Sequence, residues 1–255
     1  MHFRSGRVVA LLAVAASAVA VAVPTAGAST QIEAKLTVGA ILVEQPSGQP
    51  WAIDLHLKAE LNDLVDNAEL AQSKEYDFKF PNAKLNASKF PVCTANEAAF
   101  KSKNEAACPA ATQIGGGKAN AFGIGIQFDN VPVFMFNSTG TDSNRKIIIF
   151  SRLKKAAIDV PVFFISTVKK TSSGFDVAAP IPDIELAQNE FAVVQNFDVT
   201  IGKHIKKGGK KISYIEAPQI CKSGVGFPFQ MSARFANGVT VTDKKTINCE
   251  ILGVS

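Results

Sequence analysis

Short runs of alternating apolar and polar residues constrain the fold of this chain more than any other feature of its sequence. Ile32, Ala34 and Leu36 alternate with polar neighbours at the start of the first run. Further alternating, β-branched or aromatic runs, separated by turn-forming clusters, occupy positions 53–61, 75–80, 131–136, 146–153 and 160–168. A period of two is typical of strands that bury one face. We therefore expect an all-β protein with an antiparallel β-sandwich fold, either one large sandwich or two packed sub-sandwiches.

Two cysteines, Cys93 and Cys108, bracket a short predicted helix. Thr94 is followed three residues later by Glu97, which is the spacing of a capping box at the start of a helix. Pro109 cannot continue a helix, so the helix ends near Cys108. The two cysteines then lie at opposite ends of one small element, and we expect a disulfide bond between them. In the loop-entropy model such a bridge closes about 16 residues and stabilises the fold by roughly 3 kcal/mol.

The run Gly115-Gly116-Gly117-Lys118 follows this helix and has two interpretations. A phosphate-binding loop needs a serine or threonine after the lysine and a helix behind it. Here Ala119 follows the lysine, and the next residues have the pattern of a strand. The run therefore favours a glycine-rich strand with a bulge or a close approach of two backbones, and it predicts no cofactor.

The first residues have the three parts of a secretory signal peptide. Arg4 and Arg7 form a basic region, residues 8–23 are apolar, and small residues lead up to Ala28. A retained membrane anchor is the alternative, but the apolar run is short for a spanning helix. We expect cleavage after Ala28, which leaves residues 29–255 as a single secreted domain.

One change of composition interrupts this domain. The proline-rich segment Ala179-Pro180-Ile181-Pro182-Asp183 separates a larger N-terminal part from a smaller C-terminal part. It is too short for a domain linker, so we place a subdomain hinge near residues 179–190.

The four cysteines of the chain suit an oxidising compartment and two disulfide bonds. In the last predicted hairpin, a three-residue loop at 236–238 sets Phe235 opposite Val239 and keeps apolar residues together on each face. This register brings Cys249 close to Cys221. We therefore expect a second bridge between Cys221 and Cys249.

A second predicted hairpin carries a cluster of basic residues at its tip. Residues 191–205 and 212–217 turn on Gly208-Gly209, a dipeptide that suits a two-residue turn. The pairing crowds four lysines at the tip and two basic residues below them: Lys206, Lys207, Lys210 and Lys211, with Lys203 and His204 beneath. The cluster is either a contact site for an anionic surface, such as phospholipid or an acidic wall polymer, or a solvated tip that blocks edge-to-edge pairing.

The sequence excludes some classes of function and leaves three open. Without Arg4 and Arg7, 25 basic residues stand against 22 acidic ones, a formal charge of +3 that is too mild for a nucleic-acid-binding protein. His56 and His204 are the only histidines after the leader, and neither a catalytic serine motif nor a metal-ligand spacing is present. We expect a non-catalytic extracellular or cell-envelope protein. The alternatives are a carrier with a hydrophobic ligand in an inter-sheet cavity and, less favoured, a secreted hydrolase.

Several segments also form a wider pattern: FPVC and CPAATQIGGGKANAF in the middle of the chain, then EAPQIC, FANG and a final Cys249. Together they resemble uncharacterised secreted β-rich bacterial proteins in which a C...CPxxTxIGxGxA block precedes a C...DG...C ending. Asn237-Gly238 stands where that group has Asp-Gly, and both pairs suit a turn. The resemblance covers roughly the middle and last thirds of the chain. It implies a secreted β-fold and no particular activity or binding residue.

Overall fold

The computed structural model describes residues 32–43, 52–63, 72–217 and 226–248. Within these residues the chain is mostly antiparallel β-sheet with one short α-helix, so the predicted all-β fold is confirmed. The predicted cleavage site after Ala28 and the predicted Cys221–Cys249 bridge lie outside the described residues.

The described strands follow one another closely along the chain. They are β1 (Ile32–Val43), β2 (Ala52–Asp63), β3 (Ser73–Pro81), β4 (Lys84–Leu85), β5 (Gln113–Gly123), β6 (Ile126–Thr141), β7 (Asn144–Lys155), β8 (Ile158–Lys170), β9 (Gly174–Pro180), β10 (Ile184–Ala187), β11 (Glu190–Ile201), β12 (His204–Lys207), β13 (Lys210–Ser213), β14 (Ile215–Glu216), β15 (Gly226–Phe235) and β16 (Thr240–Asn248). Helix α1 (Glu97–Lys103) and three short 3-10 helices (Ala87–Lys89, Asn104–Ala107 and Ala110–Thr112) lie between β4 and β5.

Fourteen of the described strands join one large sheet, and β12 and β13 form a separate hairpin. The order in the large sheet is β16-β15-β3-β9-β8-β7-β6-β5-β11-β2-β14-β4, with β1 paired to β2 and β10 paired to β11. β1 also lies beside β16 and β15, which belong to the opposite end of this order. The sheet therefore folds over on itself around an interior, as in a sandwich.

Alternation along the strands sends one set of apolar side chains into this interior. The main buried cluster collects residues from both halves of the sheet, among them Leu55, Phe80 and Met231. A smaller cluster around Phe128 and Leu153 continues the interior toward β10. At about 25 cal/mol per Å² of apolar surface, burial of this kind is the main term that stabilises the fold.

Helix α1 covers the outer face of β6, β7 and β8 rather than the interior. Phe100 of the helix is fully buried against Phe136 and Phe150, which point outward from the sheet. The predicted disulfide bond between Cys93 and Cys108 is present, with a Cα–Cα distance of 5.4 Å, and it packs into the same outer cluster. β6, β7 and β8 are thus buried on both faces where the helix covers them.

The start of the helix differs from the capping box that the sequence suggests. The N-cap is Asn96, whose side-chain oxygen accepts a hydrogen bond from the backbone N–H of Ala99 at 3.0 Å. Asparagine is as good a cap as threonine, and it stands immediately before the first helical residue, Glu97. The capping prediction at Thr94 is therefore wrong by two residues, while the helix itself is confirmed.

The glycine run forms strand β5, as expected, and not a phosphate-binding loop. A Cβ atom on Gly117 would lie 2.1 Å from the carbonyl oxygen of Asp198, and one on Gly115 would lie 2.4 Å from that of Thr200. Glycine is therefore required where β5 packs closely against the backbone of β11.

The closing hairpin has the predicted three-residue loop. Ala233 pairs with Val241, and the N–H of Phe235 donates a hydrogen bond to the carbonyl of Val239 at 2.9 Å. Gly238 occupies the left-handed region with φ of 84°, which glycine adopts without strain.

Residues 179–190, where we place a hinge, connect β9 to β11 and include β10. Ala179 and Ile184 are both buried in the interior of the sheet. β10 pairs with the start of β11 across a bulge, so the segment continues the sheet structure between its two neighbours.

Candidate functional site

An apolar cavity of about 130 Å³ lies inside the folded sheet. Its wall is made by inward-facing side chains of β2, β3 and all strands from β5 to β11. The alternation that predicts these strands also explains the wall, because every second residue of a strand shares one face. On β7, for example, Ile147, Ile149 and Leu153 all line the cavity.

Aromatic rings form part of this wall. The ring of Tyr76 meets that of Phe197 edge to face, with centroids 5.0 Å apart. Phe80 packs in the same way against Phe229, with centroids 5.6 Å apart. Such pairs contribute about 0.5–1.5 kcal/mol beyond the free energy gained from burying their surface, so they stabilise this side of the cavity.

Of the described side chains that line the cavity, three are polar, and two of these have hydrogen-bond partners within the protein. The hydroxyl of Tyr76 lies 3.1 Å from that of Ser73, and burial raises the pKa of Tyr76 to about 12. Ser151 donates its hydroxyl to the carbonyl of Pro132 at 2.8 Å. Ser166 is only 1% exposed, and its hydroxyl has no hydrogen-bond partner among the described residues.

A buried polar cluster lies close to Ser166, two strands away on β6. Asn137 pairs with Ile147, which in turn pairs with Ser166 on the next strand. The side-chain oxygen of Asn137 accepts a hydrogen bond from the hydroxyl of Tyr214 at 3.2 Å. Burial raises the pKa of Tyr214, so this hydroxyl stays protonated and keeps its role as a donor.

Lys203 and His204, the two residues below the tip of the predicted basic cluster, contact other parts of the protein. The ammonium group of Lys203 donates to the carbonyls of Ala111 and Gln113, at 2.6 and 2.7 Å. Burial lowers the pKa of Lys203. Lys203 thus ties the hairpin to the start of β5 rather than facing solvent at the tip.

His204 lies between two other polar residues. Its Nδ1 is 2.9 Å from the hydroxyl of Ser213, and its Nε2 is 3.1 Å from a carboxylate oxygen of Asp54. A serine, a histidine and an aspartate in a row are the components of a nucleophilic triad, but a nucleophile must be reached by its substrate. Ser213 is 0% exposed, so this arrangement favours a link between the hairpin and β2.

The four lysines of the tip remain together on the β12–β13 hairpin. Lys207 pairs with Lys210 and Lys206 with Lys211, and this is the predicted register. Gly208 and Gly209 both have positive φ angles, as a two-residue turn of this kind requires. None of the four lysines forms an ion pair with another residue in the described part of the chain, and Lys206, Lys207 and Lys210 are exposed.

The other predicted or possible sites add little chemistry. His56 lies on the outer face of β2, as expected, where its Nε2 meets the carboxylate of Asp198. Within the described ranges no three histidine, cysteine, aspartate or glutamate residues are grouped as metal ligands. The helices in those ranges are all too short or too polar to cross a membrane.

Ser166 is not among the residues that the sequence marks as functional. A weak signal is nevertheless present, because Ser166 follows Val160, Val162 and Phe164 and precedes Val168 on one face of β8. A single serine on such a face is commonly satisfied by a neighbouring carbonyl, and only the three-dimensional structure shows that this one is not.

No protein-family model, curated protein or solved structure matches this chain. The functions of the cavity and of the lysine tip are therefore inferred from their own geometry.

Proposed function

We propose that the protein is a secreted, non-catalytic binding protein that holds a small apolar molecule in the cavity of its folded sheet. The observation that carries this proposal is the composition of the cavity wall, which is almost entirely aliphatic and aromatic. Enclosed apolar pockets with few polar groups are typical of ligand-binding sites. Of the functions that the sequence leaves open, the carrier of a hydrophobic ligand gains most support from this geometry.

The size of the cavity limits the ligand. Pockets for drug-sized molecules measure roughly 300–1,000 Å³, whereas a dry cavity of about 150 Å³ takes one benzene ring. A cavity of about 130 Å³ therefore suits a molecule of this smaller size. A longer ligand would have to move part of the wall.

Two other features support a secreted and non-catalytic role. The Cys93–Cys108 bridge is consistent with an oxidising compartment, as the leader pattern also suggests. The serine of the Asp54–His204–Ser213 row is buried, which argues against the hydrolase alternative.

Native mass spectrometry of protein purified from its own host is the direct test. We expect an adduct of small mass that is lost on unfolding. In parallel, an apolar six-carbon ligand such as benzene should raise the melting temperature, because a ligand at ten times its Kd stabilises the folded state by about 1.4 kcal/mol.

A matched pair of variants identifies the binding site. Ala179→Leu adds a large side chain to the cavity wall and should abolish the stabilisation by benzene. Ala178→Leu adds the same volume on the opposite face of β9 and should leave it intact. If protein purified from its own host carries no adduct and benzene does not change the melting temperature of the wild type, the proposal is wrong.

A second function, contact with an anionic surface, is supported by the lysine tip. Four lysines that form no ion pair with any other described residue converge on one turn, although opposed like charges destabilise a hairpin. Near an anionic membrane each lysine contributes about 1 kcal/mol of attraction, so the cluster that weakens the hairpin would strengthen adsorption.

Sedimentation with phosphatidylglycerol vesicles tests this second function. Changing Lys206, Lys207, Lys210 and Lys211 to Gln should weaken binding by about a hundredfold or more. A control variant removes the same charge elsewhere by changing Lys103, Lys154, Lys169 and Lys170, which are also exposed. Equal loss in both variants would show that net charge, and not the tip, governs adsorption.

A further inference from the structure

Among the described residues that line the cavity, the hydroxyl of Ser166 is the one side-chain polar atom that is buried without a hydrogen-bond partner. Ser166 lies in the middle of β8, where its backbone pairs with Ile147 and its side chain faces the cavity. Leaving a buried hydroxyl without a partner costs about 1–3 kcal/mol. Ser151 shows how the fold normally avoids this cost, because its hydroxyl donates to the carbonyl of Pro132.

Water is a poor partner for Ser166 inside this cavity. A buried water typically makes about three hydrogen bonds and needs at least two polar partners. The rest of the wall that the structure describes is apolar, and the two other hydroxyls in it, those of Tyr76 and Ser151, already have partners. A molecule that brings one polar group and an apolar body fits these surroundings better.

The surroundings of Arg145 indicate which kind of polar group is favoured on the ligand. It lies on the same face of β7 as Ile147, so it is a diagonal neighbour of Ser166 across the β7–β8 pair. Arg145 is 3% exposed, and its Nη1 donates to the carbonyl of Ser138 at 2.9 Å. Its Nε has no hydrogen-bond partner among the described residues. Its Nη2 lies 3.7 Å from a carboxylate oxygen of Asp142, so the charge is paired, but the unpaired Nε–H still leaves this end of the sheet with a surplus of hydrogen-bond donors, which favours an acceptor group on the ligand.

We propose that the ligand of the cavity carries a carbonyl oxygen, which accepts a hydrogen bond from the hydroxyl of Ser166 while the hydrocarbon part fills the apolar space. This inference rests on the proposed function, since it names the chemistry of the same ligand. Ser166 then determines specificity: it distinguishes ketones, aldehydes and esters from hydrocarbons of equal shape.

Two ligands that differ in a single atom provide the test. Cyclohexanone and methylenecyclohexane have nearly the same size, but an oxygen in the first replaces a CH₂ group in the second. Their affinities for the full-length secreted protein can be compared by ligand-observed NMR titration. One hydrogen bond is worth about a fivefold change in affinity.

We expect Ser166→Ala to weaken cyclohexanone binding about fivefold and to change methylenecyclohexane binding by less than twofold. The variant removes an unsatisfied group, so it should fold at least as stably as the wild type. Ser151→Ala is the matched control, because it removes a cavity hydroxyl that is already satisfied, and it should leave the ratio of the two affinities unchanged.

The outcomes separate the two proposals. If both ligands bind and Ser166→Ala affects them equally, the carbonyl inference is overturned while the binding function stands. If neither ligand binds to the wild-type protein, the binding function itself fails.

Discussion

Asn137 shows how a single buried polar side chain organises its surroundings. Its amide nitrogen lies 2.9–3.2 Å from three backbone carbonyls, those of Ala87, Phe90 and Pro91. Its side-chain oxygen accepts from the hydroxyl of Tyr214. The 3-10 helix Ala87–Lys89 and the two residues that follow it are thereby attached to β6, and the carbonyls of Phe90 and Pro91 gain a hydrogen-bond partner.

We predict that Asn137→Ala destabilises the protein by about 3 kcal/mol or more, because the carbonyls of Phe90 and Pro91 and the hydroxyl of Tyr214 each lose the hydrogen bond that Asn137 makes with them. Urea denaturation followed by circular dichroism measures this change in the free energy of unfolding. Tyr214→Phe is the control: it removes one of these hydrogen bonds and should cost about 1 kcal/mol. Equal costs for the two variants would contradict a central role for Asn137.

At the scale of residues, the sequence predicts a contact well when both partners are close in the chain, and poorly when one partner is distant. Cys93 and Cys108 could be paired because a helix boundary brings them together locally. Lys203 and His204 look like surface residues because their partners are distant in the chain: Gln113 for the lysine and Asp54 for the histidine. Burial of such residues depends on the tertiary fold, which local patterns do not specify.

Strand β5 illustrates the same distinction at the scale of elements. Its glycines identify a strand that needs close backbone approach, but they do not reveal that β11 is the strand on one side and β6 the strand on the other. The register within a hairpin can be predicted from the residues that alternate onto each face and from the residues of the turn, since both are properties of the local sequence. Pairing between distant strands such as β3 and β15 leaves no comparable signal.

We predict that Gly117→Ala destabilises the protein by about 2–3 kcal/mol, since overpacking at a rigid site costs this much. At an unstrained site the same change would stabilise by about 0.4–1 kcal/mol, so the sign of the effect is informative. Thermal and urea denaturation give the measurement. Lys118→Ala, at the exposed neighbouring position, should change stability by less than about 0.5 kcal/mol. A neutral or stabilising Gly117→Ala would show that β5 and β11 are not so closely packed.

At the scale of the whole molecule, the fold class was predictable, whereas an inter-sheet cavity was only one of the alternatives that the sequence left open. Alternation shows which side chains face inward, and hence that the interior is apolar. Whether those side chains fill the interior depends on how far the sheet curves and how its two halves meet. In this chain β1 comes to lie beside β16, and the enclosed space exceeds what the inward side chains occupy.

The strand order also affects when the protein can fold. β3 lies between β9 and β15, and Tyr76 pairs with Ala233 near the opposite end of the chain. The entropy of closing so long a loop must be overcome before the pairing is gained, which makes such contacts slow and late. During synthesis, β3 therefore keeps an open edge until the final hairpin has emerged. A chain that completes its interior last can be threaded through a narrow pore beforehand, as export behind the predicted leader would require.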